Sequence, residues 1–129
     1  MAIEAANAAD LGLRENEILA VSFVGPRTMR RVNREFLGHD YITDVISFDY
    51  RTTGDTPPKE PETAIEILVS PDMAAENAEK HPERSYDSEL LLYVVHGILH
   101  AAGFDDQTPK EKRKMRRAEK KIMEKILRA

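Results

Sequence analysis

The chain has 129 residues, 41% hydrophobic and 33% charged, which is typical of a soluble globular protein with a core of its own. It holds no cysteine, so disulfide bonds and thiolate metal sites are excluded and any metal must bind to nitrogen and oxygen. No apolar run approaches the about 18 residues that span a bilayer, and the N-terminus shows no signal pattern. We therefore expect one cytoplasmic domain over residues 1–129, with no membrane contact.

The net charge of −4 is divided unevenly along the chain. Residues 109–129 include ten Lys or Arg and three Glu, a net charge of +7, so the remainder of the chain is strongly acidic. Such asymmetry is typical of proteins that contact nucleic acid. A solvated terminal helix has the same composition, and the sequence alone does not decide between the two.

The residue pattern of the first half of the chain predicts alternating helices and strands. The alanine-rich first dozen residues favour a short helix that ends near Gly12. Residues 17–24 are rich in β-forming types and predict a strand, and residues 28–37 have the apolar spacing of a helix. Residues 44–50 alternate with period two, which predicts a strand with one apolar face. That face is formed by Ile46, Phe48 and Tyr50.

The second half predicts one strand and three helices. A proline-rich loop over 51–62 leads into a strand at 64–69, and Ser70 with Pro71 begins a helix that runs to about Lys80. The next helix begins at Ser85 or Tyr86 and is apolar almost all round, so it should lie buried at the domain centre. Thr108 and the following proline begin a final basic helix. Its predicted inner face is Met115, Ile122, Ile126 and Leu127. This order predicts an α+β fold, with a small β-sheet packed against helices.

Two histidines on the buried helix are the candidate metal ligands. His96 and His100 are four residues apart, so both imidazoles lie on one helix face. Gly103 can adopt a left-handed conformation that ends the helix and turns the chain back, which would bring Asp106 to the same ion. Asp105 is the alternative third ligand, or an outer partner that orients a histidine. The position three residues after the glycine favours Asp106.

Two histidines and a carboxylate are a zinc set that leaves one coordination position open, which indicates hydrolytic chemistry. Helical metalloproteases place a glutamate general base directly after the first histidine. Here that residue is Gly97, so peptide hydrolysis lacks its base. A metalloprotease-like hydrolase is therefore a less favoured alternative.

The segment HGILHAAGFDD at 96–106 resembles the HGxLHxxGxDH signature of the YbeY family of bacterial endoribonucleases. Upstream, Asn33, Phe36 and the TDVISF segment at 43–48 are similar to the family's N-x-x-[YF] and T-[DN]-V-[LI]-S-F block. The segment AIEILVS at 64–70 resembles the family's G-D-I-x-I-S strand. Met115 and Glu119 match its M-x-x-x-E. Together these blocks cover about residues 20–127 in the family's order.

The resemblance implies a small mixed sheet and one zinc ion per chain, bound by His96, His100 and Asp106. It also implies a single-strand endoribonuclease that matures the 3′ end of small-subunit ribosomal RNA and acts in ribosome quality control. The implied partners are ribosomal RNA and the small subunit or its proteins. The chain departs from the pattern at Asp106, where relatives usually have histidine, and at Leu37, where many have arginine. The catalytic acid and base stay unassigned.

Candidate RNA contacts come from basic residues, since phosphate contacts supply most of the sequence-independent affinity. One helix face carries four arginines at helical spacing: Arg27, Arg30, Arg31 and Arg34. A second cluster is Lys112, Arg113, Lys114, Arg116 and Arg117. The leading hypothesis is a metal-dependent endoribonuclease. The alternative from another class is a non-catalytic ribosome-assembly factor with a structural metal.

Overall fold

A computed structural model describes residues 11–51 and 56–128. The predicted N-terminal helix lies outside the described residues, except for Leu11 and Gly12, which are not helical. The elements in chain order are β1 (Glu17–Phe23), α1 (Pro26–Leu37), β2 (Val45–Asp49), β3 (Glu62–Val69), α2 (Pro71–Lys80), α3 (Tyr86–Ala101) and α4 (Pro109–Arg128). Within the same ranges, no helix combines the length and apolar character needed to cross a membrane.

The three described strands form a mixed sheet in the order β1-β3-β2. The central strand β3 is parallel to β1 and antiparallel to β2. As in any strand, alternate residues of β3 face opposite sides of the sheet, and both sides carry buried apolar residues. Ile65, Ile67 and Val69 are fully buried on one side, and Leu68 is buried on the other. The predicted α+β class with a small mixed sheet is confirmed.

Helices cover both faces of the sheet. The buried residues of α3 pack with Ile65, Ile67 and Val69, whereas Met29 of α1 packs with Ile46 and Leu68. The prediction that β2 has one apolar face is wrong in part. Its other side, which carries Val45 and Ser47, lies against α3 and is partly buried. Period-two alternation marks two sides of a strand, and it cannot show that a second helix covers the more polar one.

Helix α3 is the central helix, as its apolar sequence predicted. It contacts β2, β3, α2 and α4, and half of its residues are buried. A capping box between Ser85 and Ser88 satisfies its first backbone donors. At its other end, the Arg51 guanidinium donates to the Ala101 carbonyl at 2.9 Å and is held by Asp49. The sheet thus fixes the end of α3 that carries the candidate ligands.

The basic helix α4 contacts α3 through a narrow apolar stripe. Met115 and Ile122 are buried as predicted, and Ile126 is partly buried. Leu127 is 68% exposed, so its assignment to the inner face is wrong. A residue that follows Ile126 directly is rotated by about 100° around the helix, which turns it away from α3.

Candidate metal centre

The structure brings together the three residues that the sequence singled out. His96 and His100 lie one turn apart near the end of α3, and Gly103 has a φ of 103°, in the left-handed region that glycine tolerates. The chain then returns so that Asp106 reaches the same point. One ligand atom from each of the three residues lies within 4.8 Å of the other two.

The donor geometry fits a tetrahedral metal ion. The Nε2 atoms of His96 and His100 are 3.0 Å apart, and Oδ2 of Asp106 is 3.4 Å and 3.6 Å from them. A tetrahedral zinc site with ligand bonds of about 2.0–2.1 Å has edges of about 3.3–3.4 Å between its ligand atoms. The three atoms therefore approximate one triangular face of such a site, and the fourth position is left to solvent or substrate.

The neighbouring carboxylate does not compete for this position. Asp105 is exposed, and its Oδ1 accepts a hydrogen bond from the backbone N–H of Asp106 at 2.8 Å. This contact stiffens the turn that carries Asp106. Asp105 therefore supports the loop from outside the cluster.

A fourth side chain orients one of the ligands. The His96 Nδ1–H donates to Oε1 of Glu119 on α4, at 2.5 Å, because an ionised carboxylate can only accept. The proton is thereby held on Nδ1, and the Nε2 lone pair is directed at the other two ligand atoms. Burial favours the neutral imidazole. The hydrogen bond and charge of Glu119, with smaller contributions from Asp106 and Asp44, outweigh burial and raise the pKa of His96.

Spacing did not identify Glu119 as a site residue, although it is part of the family pattern. It stands 23 positions after His96 in the chain. Its role depends on how α4 packs against α3, which no local pattern specifies. The available signal was a carboxylate on the inner side of a predominantly basic helix, four residues after the buried Met115.

Glu119→Gln should weaken metal binding by about 10–100-fold, since outer-shell partners of metal-bound histidines have effects of that size. Glutamine can keep the contact but lacks the charge that stabilises a proton on Nδ1. A chelator-competition titration with zinc measures the effect. Glu124→Gln is the matched control, because Glu124 is an exposed acid on the same helix and should leave zinc affinity unchanged. Equal affinities for the two variants would contradict the orienting role.

A pocket of about 220 Å³ opens beside the ligands. It is lined by His96, Asp106, Lys112, Met115, Arg116 and Glu119. Two cations of α4 thus stand next to two candidate ligands.

The arginine face of α1 lies elsewhere. All four arginines are exposed, as predicted, but α1 covers the side of the sheet opposite α3. Arg30 also forms an ion pair with Asp40 at 2.9 Å, and Arg34 approaches the same carboxylate at 4.0 Å. The structure therefore does not bring this face to the metal ligands.

The position that holds the base in helical metalloproteases faces the interior here. A Cβ atom on Gly97 would come within 2.8 Å of the Ile67 side chain and 2.9 Å of the Ser47 Oγ. A glutamate at this position could not reach the pocket. The geometry argues against the metalloprotease alternative.

The fold and the cluster define a small α+β protein with a candidate three-ligand metal centre. The chain belongs to the Endoribonuclease YbeY family, whose model matches residues 2–127. It is similar to the endoribonuclease YbeY of Chlorobium luteolum (36% identity, covering 87% of this chain and 75% of that protein) and of Phocaeicola vulgatus (39%, 90% and 78%).

One further relative is matched over less than half of its length, and one solved structure is matched over almost the whole of this chain. The endoribonuclease YbeY of Rhodopirellula baltica is 50% identical over 93 residues, but the chain spans only 45% of that protein's length. The solution structure of TM1509 from Thermotoga maritima superposes with a TM-score of 0.59 at 28% identity, and the match covers 95% of this chain and 75% of that one. The fold is therefore shared with a solved structure across almost the whole chain.

Proposed function

We propose that this protein is a metal-dependent endoribonuclease that cleaves single-stranded RNA at the pocket beside His96, His100 and Asp106. Family membership supports a nuclease role in ribosomal RNA processing. The observation that carries the proposal is that three nitrogen and oxygen donors approximate one triangular face of a tetrahedral site, beside a pocket lined by two cations.

Zinc, one ion per chain, is the metal that we propose. Two imidazoles and one carboxylate are a common catalytic zinc set, and the distances between donor atoms agree with zinc–ligand bonds. When bound, such an ion supplies Lewis acidity at the position that the three protein ligands leave open.

The protein's own groups have separable roles in the proposed reaction. The two histidines and Asp106 bind the ion, and Glu119 holds the proton on His96 Nδ1. The attacking group is either water or the 2′-hydroxyl next to the scissile phosphate. A 2′,3′-cyclic phosphate on the product would rule out direct attack by water.

The biological substrate that we propose is ribosomal RNA at the 3′ end of the small subunit, with the ribosomal small subunit or its proteins as partners. The chain would act in the cytoplasm as one domain over residues 1–129. The arginine face of α1 would be a second RNA contact at a distance from the cleavage pocket. Arg27 and Arg31 have more charge to offer there than Arg30, which Asp40 neutralises.

The proposal is tested with zinc-loaded protein and a single-stranded ribosomal RNA fragment. The wild-type protein should cleave the fragment, and a folded His96→Ala protein should lose both metal and cleavage. A folded His96→Ala protein that lacks metal and still supports ribosome maturation would instead favour the assembly factor with a structural metal. Wild-type protein that is fully loaded and leaves the RNA intact would contradict the nuclease proposal.

A further inference from the structure

The cations that line the pocket differ from the other basic residues of α4. Lys112 and Arg116 are four residues apart, so they lie on the same side of the helix, next to His96 and Asp106. Arg113 and Arg117 have the same spacing, charge and exposure, but they do not line this pocket. Of these two equally charged pairs, only Lys112 and Arg116 are therefore placed at the candidate site.

No acid among the described residues neutralises either pocket cation. Within the residues that the structure describes, Lys112 and Arg116 have no ion pair or side-chain hydrogen bond. Glu119 lines the same pocket, but its Oε1 accepts from His96. By contrast, Arg30 on α1 is held by Asp40. The charge of the pocket pair is thus available to an anionic ligand.

The charge balance of the pocket also favours an anion. A carboxylate among the three ligands would reduce a divalent ion to a net charge of +1, and Glu119 lies beside it. Lys112 and Arg116 add two positive charges, so the site as a whole becomes positive. A guanidinium can bind two phosphate oxygens in a planar fork, and an ammonium adds a point charge.

We infer that Lys112 and Arg116 form a phosphate-binding pair that holds a backbone phosphate of single-stranded RNA beside the metal ligands. The inference rests on the proposed function and specifies how that site binds its substrate. The pair positions the RNA strand at the pocket, and it takes no part in proton transfer.

The test is the salt dependence of RNA binding. A labelled 2′-O-methyl oligouridine is titrated with zinc-loaded protein at several salt concentrations, and its integrity is checked on a gel. Lys112→Ala/Arg116→Ala should weaken binding and flatten the slope of log affinity against log salt by about 0.7, since the pair holds one phosphate and each single-strand phosphate contact contributes about 0.7. All substituted side chains are exposed, so the variants should fold.

The matched control is Arg113→Ala/Arg117→Ala, which removes the same charge from the same helix. Its slope should change by less than half as much. Arg27→Ala/Arg31→Ala in the same assay reports on the α1 face. Equal slopes for the two α4 double variants, or a wild-type slope for Lys112→Ala/Arg116→Ala, would overturn the inference.

Cleavage of an unmodified RNA separates this inference from the proposed function. If wild-type protein cleaves and the pocket variant behaves like its control, only the phosphate-binding pair is wrong. If wild-type protein does not cleave but its binding depends on the pocket pair, the pair stands and the nuclease function fails. In the expected case, cleavage at subsaturating RNA falls in parallel with the binding affinity of Lys112→Ala/Arg116→Ala.

Discussion

The variant His100→Ala, which removes one imidazole, should lower zinc affinity by more than about 100-fold and abolish RNA cleavage. A loss of about 100-fold is the most that is usual when a residue that only orients a metal ligand is changed. His100 supplies one of three donor atoms, and its Nε2 lies 3.0 Å from that of His96. Two ligands leave the ion with half of a tetrahedral shell. The His100 side chain is partly exposed, so the protein should still fold, and circular dichroism with elemental analysis separates metal loss from unfolding.

His39→Ala is the control of the same residue type. His39 is exposed, and its ring stacks on Tyr41 away from the ligand cluster. A second comparison uses adjacent carboxylates: Asp106→Asn should lose metal, and Asp105→Asn should keep it. His100→Ala protein that retains one ion per chain with wild-type affinity would show that the ion binds elsewhere.

Gly97→Val should lower the free energy of unfolding by about 3 kcal/mol, at the upper end of the usual range for overpacked cores. A Cβ atom at this position would lie only 2.8–3.0 Å from three side chains, those of Ile67, Ser47 and Val45. Valine adds two methyl groups beyond that carbon. Helix α3 would have to move away from the sheet, and the Ser47 Oγ would lose its 2.8 Å hydrogen bond to the Gly97 carbonyl.

Urea denaturation measures this loss, with Ala75→Val as the control for valine in a helix. Ala75 is exposed in α2, so its substitution should cost only the difference in helix propensity, about 0.6 kcal/mol. Zinc affinity should fall with stability in Gly97→Val, because the glycine stands between the two histidines on the same helix. Stabilities that differ by less than about 1 kcal/mol would contradict the close packing of α3 on the sheet.

The parts of the molecule that local chemistry determines could be predicted from the sequence. Ser70 accepts from the Met73 N–H and Pro71 occupies the first helical position, so the start of α2 follows from residues next to each other. The relative positions of His96, His100 and Asp106 likewise follow from local chain geometry, because one helical turn and one turn at a glycine separate them. These are the features that the structure brings together as expected.

Features that depend on packing between distant elements could not be predicted in this way. The contact from Glu119 to His96 requires α4 to lie against α3, and the ion pair of Arg30 with Asp40 requires the chain to return after α1. Both facts change the functional interpretation. One adds an orienting carboxylate to the site, and the other reduces the charge that the α1 face can offer to RNA.

The proposed function depends on His96, His100 and Asp106 forming one metal centre that serves RNA cleavage. The most direct test is elemental analysis of purified wild-type protein, followed by RNA cleavage with the same sample before and after removal of the metal. We expect about one zinc ion per chain, cleavage that is lost on chelation, and recovery when zinc is restored. Protein that contains no metal after careful handling, or that cleaves RNA equally well after complete chelation, would contradict the proposed function.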